Sequence, residues 1–397
     1  MKKDNRFLKG ALIGALATFL VVFVGGGIVD SLTDVGMLPA LTKKAKVESK
    51  LRYLDKIVDS YYLYEDDVTE GQLTEGLYQG YMNALGDPYS TYYTEEETKA
   101  LFEGLSGEFY GIGVVMSQDM TTGVLHITQV YEDSPAEKAG LLAGDILIQV
   151  DDHEISDESI DEIANWIKGD KDTEVYLKVL RNGNEVEATA VRDTVQAMTV
   201  QYEMKENQVG YIYIQEFDDV TEHQFEEALN ALYKDGMKGL VIDVRSNPGG
   251  NLDTVVNMLK MILPKGEIVS IRNRAGEQDQ HMNEEDHAFD KPLVVLVDQY
   301  SASAAEIFSG AIQDYEVGKI VGVRTFGKGI VQDILDLGDG TSMKLTTAEY
   351  FLPSGRSIHK KGITPDVEVE FVYDESNPIH DNQLEKALEI VEEEINS

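Results

Sequence analysis

The sequence predicts an α/β core interrupted by an inserted, mostly-β module, preceded by a helical region and one N-terminal transmembrane helix. Three observations carry this. Between residues 194 and 375, strand-like and helix-like segments alternate, the grammar of a sheet covered by helices. Residues 106–193 instead hold short β-type runs separated by turn residues. Near the N-terminus an uncharged run from Ala11 to Val29 follows Lys2, Lys3, Arg6 and Lys9.

That run, at about 1.5 Å per residue, is roughly 28 Å long, one hydrocarbon thickness. The positive flank makes residues 1–10 cytoplasmic and 11–29 a signal anchor, so that the remainder lies outside the cell membrane. A cleaved signal peptide is the rival reading; the run is long for one, and no clear A-x-A follows. Residues 30–45 read as a linker. Over 46–105 the pattern is helical: Leu51, Leu54, Val58 and Tyr61 recur at helical spacing, as do Leu73, Leu77 and Tyr81. This Tyr-rich stretch is expected as plain helical core, with a break at Gly86-Asp87-Pro88.

In 106–193 the expected strands are Ile112–Met116, Val124–Val130, Ile146–Val150, Val175–Leu180 and Val186–Arg192. Arg181-Asn182-Gly183-Asn184 is a hairpin turn between the last two. Ser134-Pro135-Ala136-Glu137 starts a helix with a Ser cap and Pro in first position, and Gly140 stops it. A second helix covers Ile160–Lys168. In 194–375 strands are expected at Gly210–Phe217, Leu240–Arg245, Leu293–Val297 and Ile320–Arg324, and helices at Glu222–Lys234, Leu252–Leu263 and Ala304–Gln313. Gly338-Asp339-Gly340 joins Ile330–Leu335 to Met343–Phe351 as a hairpin, and the polar segment 272–290 reads as a loop or small insertion. Residues 376–397 hold a short acidic helix.

Composition removes several function classes. Asp and Glu number 72 against 34 Lys and Arg, a net charge of −38 that opposes nucleic-acid backbones. Cysteine is absent, which removes disulfides, thiolate metal sites and a Cys nucleophile together. No H-E-x-x-H occurs among the seven histidines. Neither metal nor organic cofactor is called for.

Chemistry in open α/β sheets sits at the carboxyl ends of strands. Ser246-Asn247-Pro248-Gly249-Gly250 follows one such end; its glycines permit close backbone approach and its amides suit an anion hole, although an ordinary turn fits equally. Ser301-Ala302-Ser303-Ala304-Ala305-Glu306 offers a Ser at a helix start, but Ser303 and Glu306 also spell a capping box. Gly327-Lys328-Gly329 supplies a Lys between glycines. G-x-S-x-G is absent, and a Ser with few His and no Cys in the chain raises the Ser–Lys variant of the nucleophile–base pair. Such a Lys must be neutral near pH 7, about 3 units below its reference value, which burial supplies. In the inserted module Tyr110-Gly111-Ile112-Gly113 fails the dinucleotide pattern because Met116 replaces its last Gly, and reads better as a turn that binds a peptide carboxylate.

Together these segments resemble the C-terminal (tail-specific) processing peptidases, serine proteases with a PDZ domain. The likeness runs from about residue 48 to 395. It is carried by Leu85-Gly86-Asp87-Pro88-Tyr89-Ser90, by Tyr110 to Gly113, by Ser134-Pro135-Ala136, Ala139-Gly140-Leu141 and Gly144-Asp145, by Asn247 to Gly250, Ser301 to Glu306 and Thr325 to Gln332, and by Gly362-Ile363-Thr364-Pro365-Asp366. It implies a serine protease core over 194–375, crotonase/ClpP-like in fold, with the PDZ domain at 106–193. It assigns Ser303 as nucleophile, Lys328 (25 residues on) as base and Gln332 as the residue that orients it. Gly249 and Ala304 match the oxyanion hole, and the turn from Tyr110 through Gly111 and Ile112 to Gly113 matches the PDZ carboxylate loop. One departure is Ala305, where many members carry Ser. The resemblance further implies protein or peptide substrates captured by their free C-termini, PDZ-gated activity, and homodimers formed through terminal helices. A binding adaptor with an inactive core, an acyl-thioester hydratase and a partner-activated scaffold are the alternatives; retention of Ser303 and Lys328 opposes the first, and the PDZ module and export signal the second.

Overall fold

A computed structural model describes residues 37–119, 121–155, 158–286, 288–374, 376–377 and 380–397. The expected cytoplasmic segment and the span 11–29 lie outside these residues. Among the described residues no helix is long and apolar enough to cross a membrane. The chain divides into two units, residues 1–77 and 78–397.

The described part of the first unit is helical, with α1 at Met37–Tyr61, a short 3-10 turn at Glu65–Asp67 and the start of α2 at Glu70–Asn83. Helix α1 therefore begins inside the segment read as linker; Pro39 is tolerated there because first-turn amides lack helical acceptors anyway. Thr69 caps α2: its Oγ1 accepts from the Gln72 amide at 3.2 Å, and Gln72 Oε1 accepts from the Thr69 amide at 2.8 Å. Leu54, Tyr61, Leu73 and Leu77 are exposed, so the helical core expected of this stretch is not formed within the unit.

The second unit opens with a turn at Gly86–Ser90, the strand β1 (Thr91–Tyr93) and the helix α3 (Glu95–Ser106). The inserted module follows: β2 (Glu108–Gly111), β3 (Val114–Gln118), β4 (Leu125–Val130), α4 (Pro135–Lys138), β5 (Ile146–Val150), β6 (His153–Glu154), α5 (Ile160–Ile167), β7 (Glu174–Arg181), β8 (Asn184–Val191) and β9 (Asp193–Gln196). Its sheet has the order β3-β4-β5-β7-β8, with β6 on β5, while β2 and β9 pair antiparallel where the chain enters and leaves. Alternation in β7 puts Val175, Leu177 and Val179 into a core shared with Ile163 and Ile167 of α5. Two hydrogen bonds of 2.6 Å from Arg181 to buried Asp145 lock the turn before β5. Of the expected first strand, 112–116, only the part from Val114 is strand, the start of β3; Ile112 and Gly113 form the turn that separates it from β2, where Gly113 has φ 80°.

The remaining elements form the α/β core: β10 (Val200–Met204), β11 (Val209–Ile214), α6 (Asp219–Lys234), β12 (Gly239–Asp243), α7 (Leu252–Lys260), β13 (Gly266–Asn273), β14 (Gln278–Asn283), β15 (Leu293–Val297), α8 (Ala304–Asp314), β16 (Lys319–Gly322), β17 (Ile330–Asp336), β18 (Ser342–Phe351), β19 (Val367–Glu368) and α9 (Asn382–Ile395). The central sheet runs β10-β11-β12-β15-β16-β19 and is parallel apart from β10. Both faces are covered. Leu240 and Ile242 of β12 pack with Phe225, Leu259 and Phe308 of the three helices α6, α7 and α8, whereas Val241 packs with Ile390 and Val391 of α9. A second sheet of order β1-β18-β13-β14, with β17 on β18, brings the segment just after α2 against residues some 250 positions later. The polar segment 272–290 is not a loop throughout: β13 and β14 form a hairpin over Gly266–Asn283. Its outer strand, Gln-Asp-Gln-His-Met-Asn, is mostly exposed and has no apolar alternation to reveal it.

Candidate functional site

Three loops meet beside α8. The first leaves β12 through Arg245 and Ser246 to Gly250. Asn247 is fully buried and stitches this loop inward: its Nδ2 donates to the Ile214 carbonyl at 2.9 Å, and its backbone carbonyl accepts from the Ala302 amide at 2.9 Å. Its Oδ1 accepts from the Gly249 amide at 2.8 Å. The amide expected to be free for an oxyanion is therefore already bonded in this conformation. Gly249 has φ 111°, and a Cβ there would stand 2.8 Å from the Ser303 Cβ and 3.1 Å from the Ala304 nitrogen. Only glycine lets this backbone come so close to the helix start.

Arg245 fixes the base of that loop. It bonds Asp243 through Nε at 2.9 Å and Asp381, the cap of α9, through a second nitrogen at 2.7 Å. Tyr211 adds a hydrogen bond of 2.9 Å to Asp243.

The second loop carries both candidate serines, and the structure separates them. Ser301 is fully buried; its Oγ donates to the Val244 carbonyl at 2.7 Å and accepts from the Asp298 amide at 2.9 Å. Its hydroxyl is saturated in holding two loops together. Ser303 is half-buried and borders a cavity of about 270 Å³. It adopts φ 54° and ψ −114°, a left-handed conformation that costs a β-carbon-bearing residue about 1–3 kcal/mol. Its hydroxyl faces the Glu306 amide in the capping-box arrangement without closing a capping hydrogen bond; that amide bonds the Ser303 carbonyl at 2.9 Å. Ala304 is the first residue of α8, so its amide belongs to the positive end of the helix.

Glu306 is more than a cap. It is completely buried, and its two oxygens gather four donors: the Ser303 amide at 3.0 Å, the Thr325 hydroxyl at 2.6 Å, the Gly327 amide at 2.7 Å and the Lys328 amide at 2.8 Å. One carboxylate thus ties the Ser303 backbone to that of Lys328. Burial nevertheless pushes its carboxyl above the usual range, against those hydrogen bonds. Tyr350 repeats the link from the other side, its hydroxyl lying 2.6 Å from the Lys328 carbonyl and 3.1 Å from the Ser303 carbonyl.

Lys328 borders the same cavity as Ser303. Burial, and then the like charge of Lys344, hold its ammonium below the usual lysine range, against the pull of Glu306. Its Nζ rests over the Tyr89 ring, 5.0 Å from the centroid, and among the described residues no hydrogen bond joins it to the Ser303 hydroxyl. Gln332 lines the cavity too, but its amide nitrogen lies 3.3 Å from the Ile330 carbonyl and 3.5 Å from Thr346 Oγ1, not against Lys328. A bulge between Val331 and Gln332 breaks the pleat there. The turn at Gly86–Ser90 belongs to this site: Ser90 Oγ donates to Asp87 at 2.6 Å and accepts from the Thr346 amide at 3.0 Å, seating Tyr89 beside Lys328.

In the inserted module Gly111, Ile112 and Gly113 line a groove of about 140 Å³ together with Met116, Ala164 and Ile167. The carbonyls of the turn are anchored, Ile112 to the Ala136 amide at 2.8 Å and Gly113 to the Tyr131 amide at 3.0 Å. A Cβ on Gly113 would stand 2.6 Å from the Ser134 Cβ. Tyr110 does not join them. Strand alternation turns it to a neighbouring cavity with Phe102, Glu103 and Thr194.

The sequence marks Glu306 only as a cap and Tyr89 only as part of the Leu85–Ser90 motif, and it marks Tyr350 and Lys344 not at all. Glu306 has a further readable signal, as the single charge in a helix that is otherwise uncharged up to Gln313; the others arrive through long-range strand pairing. Among the described residues no group of three His, Asp or Glu side chains is placed to hold a metal.

Comparison with known proteins adds to this. A model of peptidase family S41 matches residues 208–369, one of the PDZ domain matches 126–181, and one of the activating protease CtpB N-terminal domain matches 11–98. A probable CtpA-like serine protease of Staphylococcus epidermidis is 36% identical over 376 residues, spanning 92% of this chain and 76% of its own. One from Staphylococcus aureus strain MRSA252 is 33% identical over 361 residues, 89% and 72% of the respective chains. The solved structure of a Bacteroides fragilis protein described as an S41 protease matches with a TM-score of 0.52 at 16% identity, over 79% of this chain and 90% of that one, a likeness of fold.

Proposed function

Because the chain belongs to peptidase family S41 and is a CtpA-like serine-type peptidase with a PDZ domain, we propose that it cleaves by Ser303–Lys328 chemistry. The observation that carries this reading is the division of labour between the serines: Ser301 is saturated, and Ser303 opens on the cavity that Lys328 also lines. Ser303 Oγ attacks the scissile carbonyl carbon while neutral Lys328 Nζ takes its proton. The oxyanion is held by the Ala304 amide and by that of Gly249, which turns to it from Asn247 Oδ1. Lys328 protonates the leaving amine, then deprotonates the water that attacks the acyl ester, and returns that proton to Ser303 Oγ as the ester C–O bond breaks and the carboxylic acid product leaves. For this its amine must leave the Tyr89 ring for Ser303, and Gln332 must turn to orient it, so the conformation described is a resting one. The peptide's free C-terminus docks at Gly111, Ile112 and Gly113, and its capture favours the assembled state.

The same reading puts residues 11–29 in the cell membrane as a single-pass anchor, the catalytic part outside, and two copies together through terminal helices. The test compares the chain with Ser303→Ala and Lys328→Ala on an unstructured protein ending in small apolar residues, following fragments by mass spectrometry. Cleavage by the unsubstituted chain alone is expected. Cleavage that survives Ser303→Ala overturns the assignment, and capture of the C-terminus without any cleavage turns it to an adaptor.

A further inference from the structure

Two ammonium groups border the catalytic cavity. Lys344 of β18 lines it together with Ser303 and Lys328. Its partners across the flanking strands are Thr91 and Ile334, neither of them charged. Its ammonium rests over the Tyr93 ring, 5.3 Å from the centroid, and among the described residues it pairs with no carboxylate. Lys171 and Lys205, by contrast, each sit 2.6 Å from a carboxylate. No acidic side chain lines the cavity; much of its wall is Leu101, Leu105, Leu252, Ile307, Ile330 and Ile334.

A charge held against an apolar wall without a counter-ion favours any anion that can reach it. The base must be neutral when it acts, so the positive charge that persists there is that of Lys344. We propose that Lys344 is a specificity-determining residue that takes a carboxylate of the substrate inside the catalytic cavity. Two sources share this chemistry: an acidic side chain near the scissile bond, and the α-carboxylate of a chain end lying in the cavity. The proposal rests on the reading of the Ser303 cavity as the cleavage site.

The experiment reads binding rather than turnover, so it separates from a failure of the cleavage chemistry, which would show as no products from the unsubstituted chain. The full chain carrying Ser303→Ala is titrated by fluorescence anisotropy with peptides that bear Glu or Gln at successive positions, with free or amidated ends. The titrations are repeated after adding Lys344→Met, Lys344→Gln or Lys344→Arg, each verified by circular dichroism. At one position Glu is expected to bind about tenfold tighter than Gln. That ratio falls to within about twofold in the Met and Gln variants and persists in the Arg variant. A Lys344-dependent preference for the free over the amidated end identifies the α-carboxylate as the source; a free-end preference that survives Lys344→Met belongs to the PDZ groove. The proposal is overturned if no carboxylate preference exists at any position or end, or if it is the same without Lys344. A shifted pH profile with an unchanged ratio overturns it as well.

Discussion

Under the proposed function, the loops around Ser303 and the turn at Ile112–Gly113 solve different problems with different bonds. Around Ser303 the backbone is held by buried polar side chains: Asn247, Ser301, Glu306 and Tyr350 each reach across to another loop. The turn at Ile112–Gly113 is held by two backbone hydrogen bonds and by apolar packing. Attack on a carbonyl tolerates errors of tenths of an ångström, so its scaffold is over-determined. Capture of a chain end needs a groove and a few amides, and it tolerates more.

The largest test of that contrast lies within one loop. Ser303→Ala is expected to lower cleavage by about 10⁴-fold or more with little change in unfolding midpoint. Ser301→Ala should do the reverse, costing about 1–3 kcal/mol in urea unfolding because it leaves the Asp298 amide without its acceptor and removes the shorter of two bonds to the buried Val244 carbonyl. Equal losses of activity in both would break the distinction between the serines. Next comes Glu306→Gln. Its amide cannot accept from all four donors, so kcat should fall about 100-fold while the circular dichroism spectrum keeps its shape. In the PDZ turn, Gly113→Ala forces a β-carbon against Ser134, and affinity for a peptide with a free C-terminus should drop about tenfold by calorimetry. If that loss matched the one at Glu306, the two regions would be equally rigid.

The smallest effect concerns Asp218, at the start of α6. It follows Phe217, whose amide and carbonyl bond Gly249 and Asn251. Burial, with Glu216 and Asp219 nearby, pushes its carboxyl up to about 7. The native state thus holds this proton more tightly than the unfolded chain, so stability is full below about pH 4 and declines as pH rises through 7. Asp218→Asn should match the unsubstituted chain at pH 4 and be more stable by about 1 kcal/mol above pH 7, after allowance for partial solvent access. Denaturant curves at the two pH values decide it, and an equal gain at both would mean the carboxyl does not titrate as described.

Legibility followed the range of the interaction. Strands such as Leu293–Val297, and the helix at Ile160, could be read because short runs carry their own signal, an unbroken apolar stretch in the strand and helical apolar spacing in the helix. Strand β14 could not, since its exposed polar residues are held by pairing rather than by burial. The two serines offer the same hydroxyl, and in the sequence only the resemblance chooses Ser303; physically, it is the bonds of Ser301 to Val244 and Asp298 that separate them. Glu306 was legible as a cap because its contact to Ser303 is local; its bonds to Thr325, Gly327 and Lys328 span some twenty residues and leave no periodic trace. Tyr89 and Lys344 were out of reach for the same reason, as both depend on β1 pairing with β18.

The clasp of Arg245 by Asp381 has a consequence for the order in which this molecule is made. A chain emerging from the ribosome has delivered Ser303 and Lys328, the proposed nucleophile and base, well before residues 382–395 appear. Until they do, Arg245 lacks one of its two carboxylates, and the apolar side of the sheet around Val241 and Val294 has nothing to cover it. The loop that would stabilise a tetrahedral intermediate therefore hangs from an incomplete strand end throughout synthesis. With that latch downstream of Ser303 and Lys328, the proposed cutting residues, the unfinished polypeptide is expected to gain hydrolytic competence only once α9 has docked.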